Sequence, residues 1–510
     1  MVAEKIAGGR KGSPQALKRQ HDFTDLAARL KSGPSRNLRE SCFFAALESC
    51  PSRILFLAAG AISLDIALTN CLHLRDKGCL RYSVVFRRRE IVESSVEVGR
   101  FSMRNQGSDG LLAFVVLLML ALSSIQAAQA QTFNVLYTFN GQDGLNPIGS
   151  LVRDDAGNLY GTTFFGGPYT NGVAFKPTKS GEESTLFNFN GGSEGGFPNS
   201  SLILDQAGNL YGPAGEGVNG GGVLFKLSPK GKEKVLFNFG GCVCLQPRGP
   251  EGGLLMDASG NLYGATTLGG VKGRGPECEL YGCGTIFRFD AATRKLQVLY
   301  AFKGGEDGAY PSGPLLQDAE GNFYGAAENG GDLSCPEFPD LGCGTLFKVA
   351  SDGTFTVLHR FTGGADGAGP QPGLIMDAVG NLYGAAAVGG NSICDDGCGT
   401  LFKLSKAGKL TVLYTFQNGD DGGYPNGGLV RDSKGNLYGT TSGGTTNSFD
   451  GTVFKLSKAG AFTELHIFSG GTDGGKPLSG LIQDAAGNLY GTTYTSAGFN
   501  GPGVVFEVTP

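Results

Sequence analysis

One phrase recurs seven times between Phe133 and Pro510, and its period limits what this chain can fold into more than its composition does. Each copy holds an apolar stretch such as Val412-Leu413-Tyr414-Thr415-Phe416, then a loop with Asp-Gly and Pro. The string Asp-x-x-Gly-Asn-Leu/Phe-Tyr-Gly follows, and after it Gly-Thr-x-Phe-Lys or a close variant. The Asn of that string stands at Asn158, Asn209, Asn261, Asn322, Asn381, Asn436 and Asn488, at spacings of 51, 52, 61, 59, 55 and 52 residues. Units this short cannot bury their own apolar faces, so the copies must share one core.

Each unit reads as four short strands, A to D; in the sixth copy they span residues 428–432, 436–441, 451–456 and 462–468. The A–B connection, Asp432-Ser433-Lys434-Gly435, reads as a tight hairpin. Its Asp accepts from turn N–H groups, and its Gly takes the left-handed position. The same slot holds Asp154, Asp205, Asp257, Asp318, Asp377 and Asp484. Seven regular acids would also suit a metal or catalysis, but turn capping accounts for them with fewer assumptions. In strand D, Leu136, Leu186, Leu236, Leu299, Leu358, Leu413 and Leu465 alternate with aromatic residues, so both faces read as apolar. Small antiparallel sheets packed face to face around an axis satisfy this, which predicts an all-β, seven-bladed β-propeller with four-stranded blades. The Gly after each Tyr, as at Gly161 and Gly439, is expected to mark close backbone approach near the axis. The chain enters with a D strand and leaves with a C strand, so the N-terminal strand should pair as the outermost strand of the last blade. A parallel β-helix is the competing fold; its repeats are usually shorter and lack hairpin turns.

Charge separates the first 130 residues from the rest. They hold 18 of the 42 Lys and Arg, and residues 131–510 carry 24 basic against 35 acidic groups, a net charge of −11. Such a domain lacks the cationic face that nucleic acid or an anionic membrane needs. The apolar run 111–122, followed by Ala128-Gln129-Ala130, reads as a secretory signal peptide over 103–130, too short to span a membrane. Met103-Arg104 supplies a start at the right distance, so residues 1–102 are expected to be misassigned upstream sequence, disordered or irregular; a signal anchor with a basic tail is the alternative. The chain stops directly after its last strand, which favours release over cell anchoring.

Eight of the twelve cysteines lie in the exported part, where disulfides are favoured. Cys278/Cys283, Cys335/Cys343 and Cys394/Cys398 read as loop staples; Cys242 and Cys244 are too close to pair without strain. No zinc-type spacing occurs. The B–C loops step by 11, 10, 20, 19, 15, 12 and 12 residues, so the three long, cysteine-bearing loops are consecutive and form a crest on one face. The D–A loops share that face, and six carry an acid: Asp143, Glu194, Asp307, Asp366, Asp421 and Asp473. This ring is the candidate ligand site. It suits Ca²⁺ or a cationic or hydroxyl-rich ligand, and it equally describes one Asp-Gly turn repeated. Phe197, Tyr310 and Tyr424, each before a loop Pro, suit sugar stacking or blade packing. His359 and His466 fill an aromatic slot of strand D and read as packing substitutions, which disfavours a histidine-based centre. Neither a phosphate loop nor a nucleophile elbow is present.

Units such as 480–493 (GLIQDAAGNLYGTT) and 451–460 (GTVFKLSKAG) resemble the GloVer tandem repeat of exported bacterial proteins described as choice-of-anchor, across about residues 133–510. The resemblance implies a bacterial surface or secreted protein and carries over no catalytic residue. The expectation is a secreted or periplasmic, monomeric, non-catalytic binding or scaffold module without a cofactor. Its partner would be a polysaccharide or a cell-surface protein, with no nucleic acid and no stable membrane insertion of the mature chain. The alternative is a carbohydrate-active propeller enzyme, glycosidase or lyase, using loop carboxylates.

Overall fold

Every blade is set by the same hairpin. In the first, Asp154 Oδ1 accepts the Asn158 backbone N–H at 2.7 Å, and Oδ2 accepts the Asn158 amide at 2.7 Å and the Tyr160 hydroxyl at 2.9 Å. Gly157 completes the turn at φ 84°, where a β-carbon would be strained. The same Asp–Asn–Tyr set recurs in the other six blades, as at Asp377, Asn381 and Tyr383. The Asp of the repeated phrase is thus a turn cap that also anchors strand B. At Asp377 desolvation is the largest influence and pushes the carboxyl up. Bonds from Asn381, Tyr383 and Val379 outweigh it and hold the group at about 2.

The computed structural model describes residues 131–510 except 178–182, 241–245, 274–275, 337, 339, 445–449 and 497–500, together with three strands nearer the N-terminus. Those three, Leu55–Ala59, Ile62–Leu68 and Val84–Val85, form an antiparallel sheet within a unit of their own, Met1–Ala128. The start at Met103 and the signal segment 103–130 lie outside the described residues.

Gln129–Pro510 forms the second unit, and its seven antiparallel sheets follow the order A-B-C-D. Blade four is representative: Ala309–Gln317, Phe323–Asn329, Thr345–Val349 and Phe355–Arg360. Closure occurs as the strand order requires. Thr132–Thr138 pairs antiparallel with Val504–Thr509, Thr138 opposite Val504 and Thr132 opposite Thr509, and so completes the seventh blade. The fold is a seven-bladed β-propeller closed by its N-terminal strand.

Between blades the core is a ring of phenylalanine pairs. The last aromatic residue of one strand D meets the Phe of the next blade's strand C, largely edge to face, at centroid separations of 4.9–5.4 Å. The pairs are Phe139/Phe175, Phe189/Phe225, Phe239/Phe287, Phe302/Phe347, Phe361/Phe402, Phe416/Phe454 and Phe468/Phe506. All fourteen rings are buried.

Two expectations need correction here. The Gly after each Tyr does not mark the axis: a β-carbon on Gly161, Gly325 or Gly491 would lie 2.5–2.6 Å from the tip of Phe175, Phe347 or Phe506, so these glycines seat the strand C rings. Close backbone approach falls instead on strand A, where Gly252 meets Gly313 and Gly373 meets Gly428 of neighbouring blades. Nor is strand D, apolar on both faces, fully buried on them. Val135 and Val298 are 39% and 41% exposed, whereas strand C is the most buried ribbon, as at Val223–Leu227, where only Lys226 is partly exposed. Strand D is outermost and only half-buried, although it meets both neighbouring blades: Phe133 stacks on His466 of the preceding blade and Phe139 packs on Phe175 of the next.

Closure predicts that Phe139→Ala loses about 3–5 kcal/mol in denaturant unfolding, against less than about 1 kcal/mol for Val135→Ala at an exposed position of the same strand. Equal losses would contradict the clasp. The hairpin carboxylates predict acid lability. Their folded pKa lies below the ordinary 3.8, so their contribution is complete above pH about 4 and is lost between about 4 and 2 as the folded group takes up its proton. The gap in thermal midpoint between the native chain and Asp377→Asn should therefore narrow from neutral pH to pH about 2; a constant gap would contradict this.

Candidate binding site

Antiparallel order sends the B–C and D–A loops to one face, and backbone bonds join them there: Gly331 N–H to Gly305 O at 2.9 Å and Gly390 N–H to Gly364 O at 2.8 Å. Disulfides Cys278–Cys283, Cys335–Cys343 and Cys394–Cys398 staple the three long B–C loops. Cys242 and Cys244 lie outside the described residues. The second cysteine of each staple has another role, because its carbonyl accepts the N–H of the residue before the next blade's loop proline. Tyr310 donates to Cys283 at 2.9 Å, Gly369 to Cys343 at 3.0 Å and Tyr424 to Cys398 at 2.9 Å. That residue is left-handed in every blade, with φ between 52° and 65° at Asn146, Phe197, Gly249, Tyr310, Gly369, Tyr424 and Lys476. The five non-glycine residues each hold about 1 kcal/mol or more of backbone strain, and the seam fixes them in place.

The structure puts the loop carboxylates inside their own loops. Asp307 Oδ2 accepts the Tyr300 hydroxyl at 2.7 Å and the Lys303 N–H at 3.1 Å. Asp421 accepts from Tyr414 at 3.0 Å and from the Gln417 and Gly419 N–H groups. Asp143 bonds Tyr137 and the Asn140 N–H, Asp366 bonds His359 and Thr362, and Asp473 bonds His466 and Ser469. Glu194 ends a short 3-10 turn, Gly192–Glu194. A covariation inside the repeat explains the set: an Asp follows wherever strand D offers a Tyr hydroxyl or a His ring nitrogen. Where it offers Phe187 or Phe237, the loop carries Glu194 or Cys244 instead. His359 and His466 therefore do more than fill an aromatic slot. His466 stacks on Phe133 with centroids 3.6 Å apart, and burial, the largest influence, lowers its pKa against the opposing pull of Asp473.

Between blades three and four the loop face opens into a cleft of about 530 Å³. Its polar lining is Glu251, Glu328, Thr267 and Asn329; Tyr310 contributes an aromatic wall, and Leu268 and Leu341 an apolar one. Glu328, at the end of strand B, is reached by water yet walled by protein, and this partial desolvation pushes its carboxyl up. Among the described residues no hydrogen bond or ion pair reaches it. Of the aromatics before the loop prolines, Phe197 packs on Phe164 and Phe165, Tyr424 joins the apolar core around Cys394 and Cys398, and Tyr310 joins the core around Cys278 and Cys283 and also lines the cleft.

Sequence reasoning followed the repeated acids and missed Glu251 and Glu328, although the repeat marks them. The position of Glu328 holds Phe164, Gly215, Thr267, Ala387, Ser442 and Tyr494 in the other blades, and that of Glu251 holds Ile148, Asn199, Ser312, Gln371, Asn426 and Leu478. A carboxylate stands at each position once. Among the described residues no three His, Cys, Asp or Glu side chains converge as a metal-holding group.

If the loop acids hold their own loops, a double-mutant cycle of Tyr300→Phe and Asp307→Asn should show a coupling of roughly 1 kcal/mol in unfolding. Additive losses would contradict that pairing.

No curated protein matches the sequence at a significant level. Among solved structures, the extracellular domain of a protein described as a hybrid two-component system of B. thetaiotaomicron is similar at 14% identity and TM-score 0.44, over 74% of this chain and 41% of that one. A GH74 xyloglucanase from Xanthomonas campestris is similar at 14% and 0.45, over 72% and 53%. An ulvan lyase of polysaccharide lyase family PL25 is similar at 11% and 0.43, over 72% and 94%. The Gloeobacter/Verrucomicrobia repeat matches residues 121–335 and 392–510, well over half of the sequence, and the chain belongs to that family.

Proposed function

We propose that the chain is an exported, non-catalytic binding module that takes a saccharide chain into the cleft between its third and fourth blades. One observation carries this reading: the sevenfold scaffold departs from itself there, placing two single-copy carboxylates, a fixed tyrosine and a stapled loop around one opening. A mainly apolar concavity with a few convergent polar groups is the usual form of a small-ligand site, and hydroxyl-rich ligands suit the Asn, Thr and carboxylate lining. The disulfides fit an oxidising compartment. A second reading rests on Glu328, whose raised carboxyl has the property of a general acid; on it the cleft would cleave a glycan.

The test combines binding of the full chain to a glycan array with an assay for new sugar ends. Tyr310→Gly is the informative variant, because Gly249 and Gly369 already fill the same left-handed position elsewhere. It should weaken binding by about tenfold or more at a temperature where the variant is still folded, while the lost packing of the ring on the core around Cys278 and Cys283 lowers the thermal midpoint. Binding indifferent to this change would overturn the cleft assignment, and turnover lost in Glu328→Gln would replace the binding module by the enzyme.

A further inference from the structure

We infer that the face opposite the cleft carries a second binding surface, a cationic patch across the turns of blades five and six that takes an acidic polysaccharide chain. The net charge of −11 hides an uneven division. Residues 376–381 and 403–409 of blade five, with 431–436 and 455–461 of blade six, make up the A–B hairpins, the C–D turns and the strand ends that enter them. They hold seven basic residues, among them Lys403, Lys406, Arg431, Lys434 and Lys458, against two acids, Asp377 and Asp432, a local charge of +5. Both acids are committed to capping their own hairpins. The equivalent segments of blade four hold one basic against three acidic groups, and those of blade seven two acids and no base, so the patch has an edge on either side. The cationic face that the total charge argues against is present in this sector.

Packing draws these side chains together. Asn381 Oδ1 accepts the Lys406 N–H and Asn436 Oδ1 the Lys458 N–H, each at 3.2 Å, which ties each C–D turn to its A–B hairpin. Across the seam between the blades, Lys403 Nζ and the Arg431 guanidinium each lie 5.6 Å from the centroid of one ring, that of Tyr383. A β-carbon on Gly435 would stand 3.0 Å from Arg431 Nη2 and 3.2 Å from Lys458 Cδ, so the missing side chain makes room for both. Among the described residues none of the seven basic side chains makes an ion pair or a hydrogen bond, and Arg431 Nε is shut off from water without an acceptor. Lys226, at the position of Lys403 in blade two, has Asp205 at 3.9 Å. Crowded cations without counter-charges raise the local concentration of anions. Lys406, Lys409, Lys434 and Lys458 are exposed, and a flexible chain bearing a carboxylate or sulfate on each sugar can follow them from turn to turn. An anionic membrane fits less well, because Val379 alone among these turns offers a large exposed apolar side chain. Nucleic acid would lack a stacking platform, since the rings of Tyr383 and Tyr438 are buried.

The experiment is calorimetric titration of the full chain with polygalacturonate, dextran sulfate and uncharged dextran. Both acidic polymers should bind, uncharged dextran should not, and the affinity should fall as salt rises. Replacing Lys406, Lys434 and Lys458 together by Gln should weaken binding by about tenfold or more and keep the native thermal midpoint. The same change of charge at Lys230, Lys232 and Lys234 of blade two should leave the affinity within about twofold of native. Folded Tyr310→Gly, altered on the cleft face, should bind as the native chain does. Equal losses in the two triple variants, or no binding of either acidic polymer, would overturn the patch without touching the cleft. A loss confined to Tyr310→Gly would overturn it by moving the polymer into the cleft. Phosphatidylglycerol vesicles or duplex DNA bound more tightly than either polysaccharide, and released by the blade five and six changes, would overturn the polysaccharide assignment in favour of a membrane or a nucleic acid.

Discussion

Fourteen phenylalanines, two at each of seven blade junctions, fix how neighbouring sheets meet. Each strand D ring presses edge-on against a strand C ring of the next blade, and that second ring lies over a glycine of strand B. The arrangement links three residue choices that look independent in sequence: the Phe ending strand D, the Phe of Gly-Thr-x-Phe, and the Gly after Tyr. An edge-to-face pair adds about 0.5–1.5 kcal/mol beyond its burial, and a ring of seven forms a closed set in which no blade packs alone. The N-terminal strand matters for the same reason, since it supplies Phe139 to the junction with blade one.

Repetition also acts as an internal control. A position that makes the same bond in blade after blade answers to the scaffold, whether or not the residue is the same each time. The hairpin Asp caps its turn, the loop Asp holds a Tyr or His tip, and the residue before the loop Pro donates across the seam. What remains on the loop face after these are removed is the set of positions where one blade differs from six. The cleft between blades three and four gathers several of them, beside two of the three disulfide-bearing loops.

Fold, blade number, strand order and ring closure were legible in the sequence, because hairpin turns and alternating apolar residues are local signals and seven copies reinforce them. The cysteine pairs were legible from their spacing. The buried ribbon was not: alternation in Val-Leu-Tyr-Thr-Phe shows two apolar faces but not that strand D is outermost, with Val135 and Val298 left open to water. The loop acids were ambiguous because a carboxylate bonded to Tyr300 or His359 reads the same in sequence as one held for a ligand. Their covariation with the aromatic slot seven residues earlier, or six for Asp143, is visible in the sequence once the bond is known. Glu251 and Glu328 lie far apart in the chain, and only the packing of one blade on the next shows that they share an opening.

The central claim, that strand B glycines seat the rings joining the blades, is tested most directly by a pair of glycine substitutions measured in denaturant unfolding. A β-carbon at Gly384 would stand 2.7 Å from both Phe402 and Leu374, whereas one at Gly305 would meet nothing within 4 Å. Gly384→Ala should lose about 1–3 kcal/mol or more through overpacking, and Gly305→Ala should be neutral or gain up to about 1 kcal/mol. Equal effects at the two sites, or an unchanged stability in Gly384→Ala, would contradict the account.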